Sequence, residues 1–173
     1  MANVNNPNGF MPYKNPHGGS GQPVVEYLNL AAANSAIGVG DPLTSTSGYI
    51  DRAAASAALI GIAAEAKAAS SGDTKIAVWS DPAQRFVAQT DDGTATSTSV
   101  AAAQANCNFV AGTPSNGRSI AELDQDSATT TATLPFKLLE LAPRLDNAYG
   151  EFNRWVVVIN NHQLKGGTGT AGT

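Results

Sequence analysis

The segment Arg154–His162, which reads RWVVVINNH, constrains the fold of this chain more than any other stretch. Its five consecutive large apolar residues are mostly β-branched, and β-branched side chains favour an extended strand over a helical turn. Alternation along a strand places Trp155, Val157 and Ile159 on one face and two valines on the other. Because both faces are apolar, the segment predicts an internal strand with a neighbouring strand on each side.

The composition divides the chain into two terminal segments and one body. Residues 1–22 are rich in Gly, Pro and Asn, and this density of Gly and Pro disfavours a regular helix or a central strand. Residues 165–173 are almost entirely Gly, Thr and Ala, whereas the total of 173 residues suits a single domain. We therefore predict an extended N-terminal arm over residues 1–22, a β domain over residues 23–164 and a C-terminal tail over residues 165–173 that does not bury itself.

Short extended runs bounded by turn sequences fill the body of the chain. Residues 74–81 and 84–90 flank an Asp-Pro turn, and residues 108–112 and 118–124 flank a Ser-Asn-Gly turn. Each pair predicts a β-hairpin. Several short strands with recurring turn signals are typical of a sandwich or a barrel. The sequence therefore predicts an all-β fold, a small β-barrel or sandwich with extended N- and C-terminal arms.

The alanine-rich run from Ala53 to Ala69 is ambiguous. Its alanine content is that of a helix. Its large residues are crowded around Leu59 to Ile62 instead of recurring at helical spacing, and Gly61 interrupts them. We favour a strand over residues 58–66 and keep a helix as the alternative. The low-complexity connection at residues 94–105 has room for a short helix.

Charge and cysteine content bear on partners and compartment. The formal net charge is −4, the isoelectric point is about 5.0 and the ten Lys and Arg residues form no basic run, so we expect no nucleic-acid partner. No stretch approaches the ~20 apolar residues of a membrane span, and the N-terminus lacks the pattern of a signal peptide, so we expect no membrane partner and no secretion. The single cysteine, Cys107, allows no intrachain disulfide and fits a reducing cytosol.

The low density of charge is compatible with two kinds of surface. Only 14% of the residues are charged, below the ~25% of an average domain. Much of the surface is therefore small and neutral, which suits packing against other protein subunits. A bland, loop-rich surface explains the same composition.

The sequence offers no constellation typical of an enzyme. His17 and His162 stand in unrelated contexts, far from the three or four ligands that a zinc site needs, so we expect no metal and no cofactor. Cys107 has only those two distant histidines as candidate bases and is most simply a small buried residue. The GRSIA sequence at residues 117–121 lacks the second glycine of a nucleophile elbow. We expect a protein that is not an enzyme.

Four patches of sequence, taken in order, resemble the small head decoration, or cement, proteins of tailed bacteriophages. They are MANVNNPNGF at residues 1–10, GRSIAELD at 117–124, FKLLELAPRLDN at 136–147 and WVVVINNHQL at 155–164. The resemblance implies a compact β structure of β-tulip, OB-like or jelly-roll type. It also implies a virion protein that is made in the host cytoplasm, binds the major capsid protein on the outer surface of the capsid, and commonly forms a homotrimer.

Contact with the capsid or with a neighbouring subunit is expected at both ends of the chain. We expect anchoring by the apolar residues of the N-terminal arm and by residues beside the C-terminal tail, with His162 at the rim of the contact. The predicted contact residues are Val4, Phe10, Met11, Tyr13, His162 and Leu164. The alternative function is a receptor- or carbohydrate-binding β module, which would require an exposed aromatic platform.

Overall fold

The computed structural model describes residues 3–13, 23–70, 72–91, 100–165 and 169–172. Within these ranges the chain forms eleven β-strands and two short 3-10 helices, which confirms the all-β prediction. The strands are β1 Met11–Pro12, β2 Glu26–Asn29, β3 Pro42–Thr46, β4 Tyr49–Arg52, β5 Gly61–Ala63, β6 Lys75–Trp79, β7 Arg85–Gln89, β8 Asn106–Val110, β9 Glu122–Thr129, β10 Phe136–Leu141 and β11 Arg154–Ile159. The 3-10 helices are Val100–Ala102 and Gln163–Lys165, and neither described helix is long and apolar enough to cross a membrane.

The strands form two antiparallel sheets, as in a β-sandwich. One sheet has six strands in the order β1-β7-β11-β10-β8-β9, and the other has five in the order β2-β6-β5-β3-β4. Strand β11 lies between β7 and β10, with Val157 opposite Phe86 on one side and Leu138 on the other. The prediction of an internal strand at this position is therefore confirmed.

The larger hydrophobic core joins the two sheets. It contains Trp155, Val157 and Ile159 from one face of β11, as the alternation predicts, together with Leu59 and Ile62 from the five-stranded side. Each fully buried side chain of this size stabilises the fold by about 1.5–3 kcal/mol. This core fixes β11 in the middle of the molecule.

A smaller core lies within the five-stranded sheet. It is built mainly from branched aliphatic side chains, including Leu30, Leu43, Ile50 and Ile76. An isolated bridge joins Leu30 to Ile50, and the Ala31 N–H donates to the Ile50 carbonyl at 3.0 Å. These contacts bring the two edge strands of the sheet together, so the smaller sheet curls around its own apolar residues.

The predicted hairpin of residues 74–81 and 84–90 is wrong, although both strands exist. Strand β6 pairs with β2 and β5, whereas β7 pairs with β1 and β11 in the other sheet. Gln84 N–H donates to the Asp81 carbonyl at 3.0 Å across a turn that has Pro82 at its second position. Turns with proline at this position are of the unprimed types, which splay the flanking strands. The chain therefore crosses between the sheets here.

The second hairpin and the strand in the alanine-rich run are confirmed as elements, although their bounds differ from the predicted ones. Strands β8 and β9 form an antiparallel pair in which Val110 lies opposite Glu122. In the alanine-rich run, Gly61–Ala63 is a strand and not a helix. Gly61 is required by close packing, because a Cβ atom there would lie 2.5 Å from the Trp79 carbonyl oxygen. Gly61, which interrupts the alanine-rich run, therefore allows the extended backbone to pack closely against Trp79.

Candidate functional site: the N-terminal arm and the 142–153 loop

The N-terminal arm is attached to its own domain. Phe10 is fully buried in the larger core, and its N–H donates to the Gly40 carbonyl at 2.9 Å. The next two residues form β1 at the edge of the six-stranded sheet, where Pro12 is tolerated because an edge strand has one unpaired side. Tyr13 N–H then donates to the Arg85 carbonyl at 2.9 Å. The arm therefore completes the sheet between residues 10 and 13.

The start of the arm is attached to the loop formed by residues 142–153. The Asn3 side-chain amide donates to the carbonyls of Ala148 and Glu151 at 2.9 and 2.7 Å, and Ala148 N–H donates back to Asn3 Oδ1 at 3.0 Å. These three hydrogen bonds hold residue 3 against the loop. The arm thus lies across the molecule from the loop to the sheet edge.

The 142–153 loop is closed by one asparagine. The Asn147 amide donates to the carbonyls of Ala142 and Arg154 at 2.9 and 2.8 Å, and its Oδ1 accepts from Arg154 N–H at 2.9 Å. Three hydrogen bonds from one side chain tie together both ends of the loop, which substitutes for missing strand pairing. The loop is therefore held in one conformation next to β11.

Apolar side chains project from this region into solvent. Leu145 is fully exposed, Tyr149 is 46% exposed and Val4 on the arm is 68% exposed. Tyr149 also makes an edge contact with the buried Trp155, with ring centroids 6.1 Å apart. Single exposed apolar residues are ordinary on a protein surface, but these three lie on a fixed loop and on the arm that is hydrogen-bonded to it. We call residues 3–13 and the 142–153 loop the arm face.

A groove lined by arginines runs beside the arm. A cavity of about 490 Å³ lies between the arm at Asn6 to Asn8, the segment around Arg118 to Ile120, and the side chains of Arg144 and Arg154. A second cavity of about 330 Å³ shares Asn6, Asn8 and both of the latter arginines. We call the larger cavity the arm groove.

One carboxylate, that of Asp146, pairs with two of these arginines. Asp146 accepts two hydrogen bonds from Arg144, at 3.0 and 3.2 Å, and lies 3.6 Å from Arg154 Nη1. The hydrogen bond from Arg144 lowers the pKa of the Asp146 carboxyl, and the same pairing raises the pKa of Arg144. Both groups are therefore charged at neutral pH, and the groove keeps an excess of positive charge.

The six predicted contact residues have three different environments. Val4 and Leu164 are exposed, and Met11 and Tyr13 are half-buried and line the smaller cavity of the arm face. Phe10 is fully buried and therefore presents no surface to a partner in this conformation, which corrects its predicted role. An isolated aromatic residue in a Gly- and Pro-rich arm docks equally well on its own domain, and the sequence does not distinguish the two.

His162 is also buried, which corrects its prediction as a rim residue. It forms an isolated bridge with Leu59, and its Nδ1 accepts a hydrogen bond from Leu164 N–H at 3.1 Å. Burial lowers the pKa of the imidazole to about 4, and the charge of Lys165 acts in the same direction. The polar residues that follow β11 continue into the packed interior because Leu59 provides a backbone partner for them.

The described part of the C-terminal tail, residues 169–172, lies at the surface and is attached to the domain by hydrogen bonds. Asn160 Oδ1 accepts from Thr170 N–H at 3.0 Å, and the Thr170 carbonyl accepts from the Asn106 amide at 2.7 Å. Gly172 N–H donates to the Thr130 carbonyl at 3.1 Å. Glycine permits this close approach, since a Cβ atom on Gly169 would lie 2.4 Å from Asn160 Nδ2. Backbone hydrogen bonds replace the apolar side chains that the tail lacks.

The remaining reactive side chains are placed as structural residues. Cys107 is fully buried, as predicted, and burial followed by the charges of Asp124 and Asp91 raises the pKa of its thiol. In the described ranges no three His, Cys, Asp or Glu residues are close enough together to hold a metal ion. His17 lies outside the described residues.

Sequence reasoning missed Leu145, Tyr149 and the three arginines of the arm groove. The sequence does contain a signal that Leu145 is exposed, because this large apolar residue lies in the polar sequence PRLDN and has no apolar partner nearby in the chain. No comparable signal exists for the groove, since Arg118 is remote in sequence from Arg144 and Arg154. Only the fold brings these three side chains together.

No protein-family model, curated protein or solved structure matches this chain. The class that the fold defines is an all-β sandwich, with exposed apolar side chains on its N-terminal arm and on one adjoining loop.

Proposed function

We propose that this protein is a non-enzymatic structural protein of a tailed-bacteriophage head. In this proposal it is made in the host cytoplasm, binds the outer surface of the capsid and stabilises the expanded lattice by clamping neighbouring major capsid subunits. The resemblance in sequence supplies the hypothesis. The observation that supports it is the exposure of Val4, Leu145 and Tyr149 on a fixed arm and loop.

The arm face has the properties that a clamp requires. The backbone that carries its exposed side chains is already held by contacts of Asn3, Phe10 and Asn147, so binding a partner costs little additional backbone entropy. Each copy that binds only the expanded lattice shifts the equilibrium towards that lattice. A homotrimer would bind with three arm faces at once, which raises the effective concentration of each contact.

The test is binding to shells assembled from the major capsid protein of the same phage. We expect the purified protein to co-sediment with expanded shells at hundreds of copies per particle, the number characteristic of a lattice-covering protein, and to be absent from unexpanded shells. A trimeric mass at each site is expected by image reconstruction. Absence of binding to expanded shells would contradict the proposal.

Variants locate the contact on the molecule. Leu145→Ser combined with Tyr149→Ser removes exposed apolar surface from the arm face, and we expect it to reduce occupancy at least tenfold. Tyr27→Ser is the control, because Tyr27 is also an exposed aromatic residue but lies on β2 of the five-stranded sheet. Equal occupancy of both variants would show that the arm face is not the contact surface.

The alternative function, a receptor- or carbohydrate-binding module, is favoured by a different observation. Tyr27 and Tyr49 are exposed on the five-stranded sheet, and Tyr49 borders a cavity of about 400 Å³ with Asn29 and Asp73. An exposed aromatic ring beside polar groups suits a sugar ring. Copy number separates the two functions, because a receptor-binding module is present in a few copies per virion, and binding to a glycan array tests the alternative directly.

A further inference from the structure

The arm groove concentrates positive charge in an acidic protein. Arg118, Arg144 and Arg154 line it, and Asp146 is the one carboxylate that pairs with any of them among the described residues. The chain as a whole carries a formal net charge of −4. With three guanidinium groups and one carboxylate, the groove is therefore positively charged, although the chain as a whole is negatively charged.

Two of these arginines have unused hydrogen-bond donors. Arg118 is exposed, and among the described residues its guanidinium donates one hydrogen bond, to Asn8 Oδ1 at 3.3 Å. Arg154 has only 18% of its side chain exposed, and within the described part of the chain its ion pair is with Asp146 at 3.6 Å. A guanidinium has five N–H donors, and a mostly buried one gains free energy from any acceptor that reaches it. The groove thus has donors positioned for an incoming anion.

An acidic protein segment suits this groove better than a nucleic acid does. A guanidinium pairs with a carboxylate or with a phosphate through two parallel hydrogen bonds, so the number of charges decides between them. Nucleic-acid binding depends on neutralising many phosphates, and three arginines on an acidic protein do not provide that. Pro7 and the partly exposed Ile120 add apolar wall, which suits the aliphatic part of a peptide.

We propose that the arm groove binds an acidic peptide segment of a partner protein, with carboxylates at Arg118 and Arg154. The identification of that partner as the major capsid protein rests on the proposed function. The acidic segment would lie beside the exposed apolar side chains of the arm face, so that charge sets its register and apolar contact adds affinity.

The first experiment measures peptide binding without any shell. Fluorescently labelled octaglutamate is titrated with the full-length protein and with Arg118→Gln, Arg118→Lys and Lys75→Gln. Lys75 is the matched control, because it is an exposed cation on β6 of the other sheet. We expect Arg118→Gln to weaken binding about tenfold, Arg118→Lys to weaken it less, and Lys75→Gln to change it less than about twofold.

Three results would overturn the inference. The first is that Arg118→Gln binds octaglutamate as tightly as wild type does. The second is that Lys75→Gln weakens octaglutamate binding as much as Arg118→Gln does. The third is that wild type binds an oligothymidylate of eight nucleotides as tightly as it binds octaglutamate. We expect Arg118→Gln to fold like wild type, because the Arg118 side chain is exposed and the one hydrogen bond that it makes within the described ranges is long. The thermal midpoints of the two proteins should therefore match.

The second experiment separates this inference from the proposed function. Wild type and Arg118→Gln are compared for occupancy on expanded shells at low and high salt, since screening weakens exposed charge pairs. Equal occupancy of the two proteins would reject the capsid protein as the acidic partner while the proposed function stands. Absence of shell binding, together with Arg118-dependent octaglutamate binding, would reject the proposed function and leave the groove as a site for acidic peptides.

Discussion

Phe10 stacks face to face on Phe136, with ring centroids 4.2 Å apart and ring planes inclined by 7°. Phe109 makes edge contacts with both rings, at 6.4 and 5.9 Å. An arm residue and strands β8 and β10 therefore share one aromatic cluster at the centre of the larger core. Attachment of the arm and folding of the sandwich are consequently coupled.

Replacement of Phe10 by alanine should lower the free energy of unfolding by about 3–5 kcal/mol, because it removes a fully buried ring and leaves a cavity. Chemical denaturation measures the change. Val4→Ala is the control within the same arm, and we expect less than about 0.5 kcal/mol there because Val4 is exposed. A loss at Phe10 no larger than that of the control would mean that the arm is detached in solution.

Gly9→Ala should release the arm for a steric reason. Gly9 has φ = +64°, and a Cβ atom there would lie 2.5 Å from Ser119 Cβ and 2.7 Å from the Gly40 carbonyl oxygen. Gly48→Ala is the matched control, because Gly48 has φ = +83° with no atom within 4 Å of the added Cβ. Both variants carry the backbone strain of about 1 kcal/mol, and we expect a further loss of about 1–3 kcal/mol in Gly9→Ala only. Thermal unfolding of the two variants, if indistinguishable, would contradict this packing.

The sequence predicts what is local and leaves open what depends on distant residues. Strand β11 is predicted with its ends and its buried face because five apolar residues in a row carry that information themselves. The link between β6 and β7 is predicted as a hairpin because both strands and the turn at Asp81 are recognisable locally. Which sheet each strand joins depends on residues far away in the chain, and the local pattern does not contain it.

Prediction of the candidate site from sequence is limited in the same way, because the site also depends on contacts between residues that are distant in the chain. Phe10 and Val4 are both isolated apolar residues in one arm, yet one is in the core and the other is exposed. The difference arises from Phe109 and Phe136, which are distant in sequence. The composition of the polar tail likewise gives no sign of attachment, because the groups that bond its backbone belong to Asn160 and Asn106.

Asn160→Asp should destabilise the attachment of the C-terminal tail. The Asn160 amide donates to the carbonyls of Ala132 and Leu134 at 2.8 and 3.0 Å, and an aspartate would place a charged oxygen against both. We expect a loss of about 2 kcal/mol or more, and faster proteolysis of the tail. Asn161→Asp is the control, since the Asn161 side-chain amide donates one hydrogen bond among the described residues, an exposed one to the Thr133 carbonyl. Equal losses in the two variants would argue against the tail contact.

Burial of His162 makes stability depend on pH. Its pKa is about 4 in the folded protein and 6.5 in an ordinary histidine, so between these values the unfolded chain binds a proton that the folded protein does not. The free energy of unfolding should therefore fall as the pH decreases from 6.5 to 4, by about 3 kcal/mol in total, with the full stabilisation present above pH 6.5.

The contribution of His162 is isolated by comparing wild type with His162→Asn across this pH range. The asparagine side chain of that variant would keep an acceptor for Leu164 N–H, and subtracting the two curves cancels the carboxyl groups of Asp41 and Glu122. Burial raises the pKa of both carboxyl groups, so they act in the opposite direction to His162, favouring the folded state at low pH. We expect the difference in unfolding free energy between the two proteins to change steadily below pH 6.5, with wild type losing stability relative to the variant. Parallel curves over the whole range would mean that His162 has the same pKa in the folded and the unfolded protein.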